Sequence, residues 1–129
     1  MSPADYMAEL IRDRLSGNGY SVFSNHMPDS PDKAIVVNDL SSGRLEPRGM
    51  VTKVRNEHPA VQVLVRGVDH TAHSVAQDIA DLADETYHYR CEDGKNLQVI
   101  TKTNTIGSLG VHPQTRRTMY TQQFRLTLE

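Results

Sequence analysis

The chain has 129 residues, 14 of them lysine or arginine and 16 aspartate or glutamate, which gives a net charge of −2. This length predicts one domain over residues 1–129, large enough to bury a core without disulfides or metal. The slight acidic excess argues against a generic nucleic-acid binder, and the single cysteine, Cys91, excludes an intrachain disulfide framework. Without a long apolar run or a signal-peptide pattern, we expect a soluble protein made inside the cell and no membrane partner.

The first third of the chain predicts one helix, a short extended segment and a strand. Ser2 is a suitable N-cap and Pro3 suits the first helical position. Residues 16–19 contain two glycines and should end this helix. Residues 20–23 suggest a brief extended segment, residues 24–33 a turn-rich loop, and residues 34–39 a strand that is buried on both faces. The apolar stripe of the helix consists of Met7, Leu10, Ile11 and Leu15.

The middle of the chain contains its strongest strand and helix patterns. Residues 40–59 hold two glycines, two prolines and mixed charges, and they read as a long irregular connection. Residues 61–66 predict a strand that Gly67 closes. A second helix follows from about Asp69 or Thr71 to Thr86. Its apolar stripe consists of Ala72, Val75, Ala76, Ile79, Leu82, Ala83 and Thr86.

The last third predicts a hairpin and a one-sided final strand. Residues 92–95 form the turn of the hairpin, and residues 97–106 form a strand. Residues 107–115 contain two glycines and Pro113 and interrupt that strand. Residues 120–128 alternate between apolar and polar side chains, so one face should lie on the core and the other on water or a partner. The element order α-β-β-β-α-β-β predicts an α+β fold with a single mixed or antiparallel sheet and both helices on one face.

Four residues were considered for chemistry. His70 and His73 begin the second helix, while His88 and Cys91 lie beyond its end, and together they could form a zinc site. The alternative is a set of exposed polar residues, which the spacing favours because it matches no zinc module. Cys91 has a neighbouring histidine but no nucleophile signature, and residues 107–110 lack the features of a phosphate-binding loop. We therefore predict no enzyme activity, no catalytic residue, no metal site and no cofactor.

Two groups of charged residues are candidates for contact surfaces. Asp78, Asp81 and Glu85 lie on one side of the second helix, with Asp84 nearby. They predict a solvated face, part of a catalytic or metal site, or the negative lining of a pore. The basic group is suited to contacts with acidic surfaces of neighbouring subunits, to weak DNA contact, or to simple solvation. It consists of Arg44, Arg48, Arg116 and Arg117.

Two segments resemble a known family. Residues 27–39, MPDSPDKAIVVND, are similar to a "PDSPD" stretch and the strand after it in the minor capsid and tail terminator family of long-tailed bacteriophages. Residues 61–69, VQVLVRGVD, are similar to that family's "VQVxVRGxD" strand. The alanine-rich helix at 72–86, residues 108–110 and the final strand at 120–128 fit the family's order. Residues 87–95 and 40–59 depart from it.

The resemblance implies a structural role in phage assembly. Such a protein caps the growing tail tube as a ring, typically a hexamer, stops its polymerisation and offers a surface for head–tail joining. Its partners are then copies of itself, the tail tube protein and the head connector or stopper protein. DNA passes through the lumen without sequence-specific binding. The location implied is the head-proximal end of the virion tail, after assembly in the host cytoplasm.

Three alternatives stay open at this stage. A head-completion or connector protein of the same virion is of similar size and also forms rings. An enzyme or metal-binding module would use the histidine and cysteine set above. A non-phage α+β adaptor would resemble the family by chance.

Overall fold

A computed structural model describes residues 2–15, 17, 19–45, 57–68, 71–111 and 116–128, with backbone alone at 41–45 and 57. The helices are α1 (Pro3–Arg14) and α2 (Thr71–Glu85). Neither helix in this part of the chain is long and apolar enough to cross a membrane. The strands are β1 (Ser21–Ser24), β2 (Ala34–Leu45), β3 (Glu57–Gly67), β4 (Tyr87–Arg90), β5 (Asn96–Lys102), β6 (Gly107–Val111) and β7 (Thr118–Leu128).

One mixed sheet contains all seven described strands: six follow the order β1-β2-β3-β7-β5-β4, and β6 pairs with β7 outside this order. Only β1 and β2 pair in parallel; the other pairs are antiparallel. The long strand β7 is the hub. It pairs with β3 along one edge, and with β6 and then β5 along the other.

Both helices pack on the same face of this sheet, so the predicted α+β class is confirmed. Ile35 and Val37 of β2 pair with valines of β3, and Val61 of β3 pairs with Phe124 of β7. These side chains form a single cluster with the apolar stripes of α1 and α2. The strand predicted at 34–39 is confirmed, but its burial on both faces holds only for residues 34–37, which are all 0% exposed, whereas Asp39 is exposed.

The predicted irregular connection at 40–59 is wrong at both ends. β2 continues to Leu45 and β3 already begins at Glu57, while residues 46–56 lie outside the described residues. Each strand supplies the hydrogen-bond partner of the other, which overrides weak local propensity. Pro59 is tolerated because it lies at the register shift between Leu40 and Arg44, where the ladder is interrupted.

The predicted strand at 97–106 and the predicted break at 107–115 are also corrected. β5 ends at Lys102, and residues 107–111 form β6, while residues 112–115 lie outside the description. Asn104 bridges the gap: its Oδ1 accepts the backbone N–H of Gln123 at 2.8 Å, and its carbonyl accepts the side chain of Gln122 at 2.8 Å. The central strand β7 therefore keeps a hydrogen-bond partner between β5 and β6.

The hairpin turn at 92–95 is confirmed. The backbone N–H of Cys91 bonds to the carbonyl of Lys95 at 2.8 Å, and that of Gly94 bonds back to Cys91 at 3.0 Å. Gly94 adopts a φ of 93°, which is open to glycine at little cost. The turn is docked on α1, where Glu9 accepts the N–H of Glu92 at 2.9 Å.

Candidate assembly surfaces

Two arginines hold the loop between β1 and β2 at the end of the sheet. Arg66 of β3 donates from Nε to the carbonyl of Asp32 at 3.2 Å and from its guanidinium to the carbonyl of Pro31 at 2.7 Å. Arg117 donates to the Asp32 carboxylate at 2.9 Å and to the carbonyl of Asp29. Burial, together with the nearby positive charge of Arg117, lowers the pKa of Arg66. The two segments that carry the family resemblance are thus in direct contact.

The predicted basic contact residues differ in their surroundings. Arg116 is exposed and has a φ of 56°. Arg117 is engaged within its own chain, where its side chain is 22% exposed and pairs with Asp32 at 2.7 Å. The side chain of Arg44 and all of Arg48 lie outside the described residues. The structure of one subunit tests none of the four as a contact residue, and their role stays a prediction.

The acidic group lies on the outer face of α2. Asp78, Asp81 and Glu85 are all exposed, and they line a groove that also contains Arg14 and Arg90. Asp81 accepts a hydrogen bond from Gln77 at 3.1 Å. Asp84, by contrast, is turned to the sheet edge, where Lys102 binds it at 2.8 Å. The lumen-facing position of the first three stays a prediction.

The four residues considered for zinc are not brought together where they are described. The His73 ring packs edge-on against Tyr120 at 5.2 Å, and the His88 ring against Tyr87 at 4.2 Å. His70 lies outside the description. Within the described ranges, no three histidine, cysteine or carboxylate side chains are grouped as a metal would require.

Cys91 lies beneath α1 and is 3% exposed. Burial is the main cause that raises the pKa of its thiol to about 12, and the neighbouring Glu9 adds to it. Burial and Asp13 likewise raise the pKa of Tyr89 to about 12. A neutral, buried thiol is a poor nucleophile, so this arrangement favours the bystander interpretation of Cys91.

The predicted alternation of the last strand is confirmed. Phe124, Leu126 and Leu128 of β7 are at most 1% exposed and point to the helices. The other face is not fully open to water: the side chains of Thr121 and Arg125 are only half-buried, yet each has a buried polar atom without a hydrogen-bond partner. Sequence reasoning placed Arg125 on this outer face but assigned it no role. The feature of the sequence that could have indicated a role is its charge, because Arg125 is the one charged residue among the alternating residues 120–128.

A family model described as bacteriophage tail terminator protein matches residues 7–129. The match includes the loop bound by Arg66 and Arg117, the acidic face of α2 and the whole sheet. No curated protein matches the chain.

Proposed function

Since the chain belongs to the bacteriophage tail terminator protein family, we propose that it caps the tail tube of a long-tailed phage as a ring and stops the tube from polymerising. Membership makes it a structural component of tail assembly and of the virion tail, in a family that is not enzymatic. The match over residues 7–129 carries the proposal. The whole chain, residues 1–129, acts in it as one domain.

The ring is a hexamer around a lumen through which DNA passes without sequence-specific binding. It lies at the head-proximal end of the tail and is assembled in the host cytoplasm. One surface binds the tail tube protein, and another presents the head–tail joining surface to the connector or stopper protein. The sheet supports such an assembly because β1 and β4 are the outermost of the described strands, where a strand of a neighbour can be added.

The charged surfaces fit contacts in this assembly. Arg116 is exposed beside the loop bound by Arg66, and it is suited to an acidic surface of the tube or connector. Arg44 and Arg48 are proposed for the same role. Asp78, Asp81 and Glu85 are exposed, as both a lumen wall and a subunit contact require.

Electron microscopy of particles from a phage that lacks this gene tests the proposal. Overlong headless tails beside filled heads are expected, and the gene supplied in trans restores tails of normal length. Deletion particles with tails of normal length would contradict tail termination and would favour the connector alternative. An Arg116→Glu variant, with Arg117 left in place, should stop tails correctly and join heads poorly if Arg116 contacts the connector. Normal joining removes Arg116 from that surface.

A further inference from the structure

The outer face of the sheet, opposite the helices, has an unusual charge pattern. No described side chain of β3, β5, β6 or β7 is a carboxylate. Asp39 of β2 belongs to the helix side, where it accepts the N–H of Ala4 at 2.8 Å. The acidic side chains of α1, α2 and the 92–93 turn lie in the helix layer. One broad surface of the subunit is therefore acidic, whereas no described strand side chain on the opposite surface is a carboxylate; at the end of that surface, the carboxylate of Asp32 is paired with Arg117.

Arg125 lies in the middle of this outer face, and no described carboxylate pairs with it. Its Cα is level with Ala60 of β3 on one side and Thr101 of β5 on the other, so small side chains flank it. Its Nε is buried and has no hydrogen-bond partner within the described part of the chain. The hydroxyl oxygen of Thr121, on the same face of β7, is also buried and unpaired. A carboxylate from outside the chain does not reach the buried Nε, but it can pair with the terminal nitrogens of the guanidinium, which are not among the buried unpaired atoms.

The outer face of α2 is the complementary surface. Asp78 and Glu85 are exposed, and neither has a hydrogen bond or ion pair in the described structure. Asp81 has only the amide of Gln77. This acidic face and Arg125 are on opposite layers of one subunit, so they cannot pair within it.

We propose that the outer sheet face of one copy of this chain docks on the α2 face of a second copy, with Arg125 bound by the carboxylates of Asp78, Asp81 and Glu85. This proposal deepens the proposed function, because a contact between two different surfaces of identical subunits is the kind that closes a ring. It assigns these carboxylates to the subunit contact and not to the lumen.

A second copy suits this face better than DNA does. A surface that binds the phosphate backbone normally supplies several lysines and arginines, whereas the polar residues beside Arg125 on β7 are neutral: Thr121, Gln123 and Thr127. A surface with one arginine among neutral hydroxyl and amide groups is suited to bind a small number of carboxylates. The same chain carries those carboxylates at helical spacing on α2.

Cysteine pairs test the contact directly. Three double variants combine Arg125→Cys with a cysteine on α2, at Asp78→Cys, Asp81→Cys or Glu85→Cys. Each full-length protein is oxidised after purification and, separately, in tails from infected cells. At least one pair should give a ladder of disulfide-linked subunits on a denaturing gel, while each single variant gives none. Asp84→Cys with Arg125→Cys is the matched control, because Asp84 binds Lys102 of its own chain and should give no ladder.

A charge exchange provides the second readout. Arg125→Asp and Asp81→Arg should each abolish oligomers, and the double variant should restore them, which a purely structural role of either residue does not predict. Absence of a ladder with all three pairs, in protein and in tails, overturns the contact. If the Arg125→Asp variant assembles normally but fails to deliver DNA, the subunit contact is also overturned, and Arg125 is assigned to DNA binding. If a ladder forms but the phage that lacks this gene has tails of normal length, the subunit contact is supported and the tail-terminator function is refuted.

Discussion

Arg66 donates a hydrogen bond of 2.7 Å to the carbonyl oxygen of Pro31, across 35 positions of sequence. The side chain is 4% exposed and also binds the carbonyl of Asp32. One guanidinium at the end of β3 thus defines the path of the loop that leads into β2. The contact joins the two segments that carry the family resemblance.

Replacement of Arg66 by lysine should weaken the fold. An ammonium group cannot reproduce the forked donation to two carbonyls, so we expect the free energy of unfolding to fall by about 1.5–3 kcal/mol. Urea unfolding of the purified protein measures it. Arg116→Lys is the control, since Arg116 is exposed and its replacement should change stability by less than about 0.5 kcal/mol. Equal effects at the two positions would show that the bonds to the loop contribute nothing to stability.

Gly67 is required for close packing between β3 and α2. A Cβ atom at this position would lie 2.8 Å from the Tyr20 hydroxyl and 3.0 Å from the Cβ of Ala72. Gly67→Ala should therefore destabilise the protein by about 1–3 kcal/mol through overpacking. Gly107→Ala is the matched control, because its Cβ would meet nothing nearer than 4.0 Å. Thermal unfolding of both variants decides the point, and a Gly67→Ala protein that melts with the wild type contradicts the packing.

Ile79 is the centre of the apolar stripe of α2 and is 1% exposed. Ile79→Asp would bury a carboxylate without a partner, which costs several kcal/mol, and we expect the domain to unfold. Circular dichroism and urea titration report the loss. Asp78→Asn, one position away on the exposed side, should remain folded. A folded Ile79→Asp protein would disprove that α2 packs on the sheet through this residue.

The Cys91 thiol should be unreactive in the native state. It is buried and its pKa is raised from 9.0 to about 12, so the neutral form is favoured in the folded chain. The resulting stabilisation is complete below pH 9.0 and is lost as the pH rises from there to about 12. At pH 8, a colorimetric thiol reagent should react with the native protein at least about 100-fold more slowly than with the unfolded protein. Equally fast reaction in both states would contradict the buried position.

The raised pKa of Tyr89 contributes in the same alkaline range, from 10.0 to about 12. Unfolding of the wild type should therefore become easier above pH 10, and Tyr89→Phe together with Cys91→Ala should make stability less dependent on pH there. An unchanged alkaline profile in the double variant would assign the loss of stability to other groups.

The elements with local signals can be predicted from the sequence alone. The apolar stripe of α2 and the alternation of β7 were both readable, because each reports which side of one element meets the core. The family resemblance came from residues 27–39 and 61–69 in the same way, and the family match over residues 7–129 agrees with it.

The ends of β2 and β3, the existence of β6 and the surroundings of the arginines depend on contacts between residues that are distant in the sequence. A strand such as β6 forms because β7 supplies its hydrogen bonds, and those partners are invisible to local propensity. Arg117, predicted as a surface contact, is bound to Asp32, 85 positions away, whereas Arg125, on the face of the sheet opposite the helices, has no partner among the described residues. Which charges are paired depends on distances in the folded chain, and no periodicity in the sequence encodes those distances.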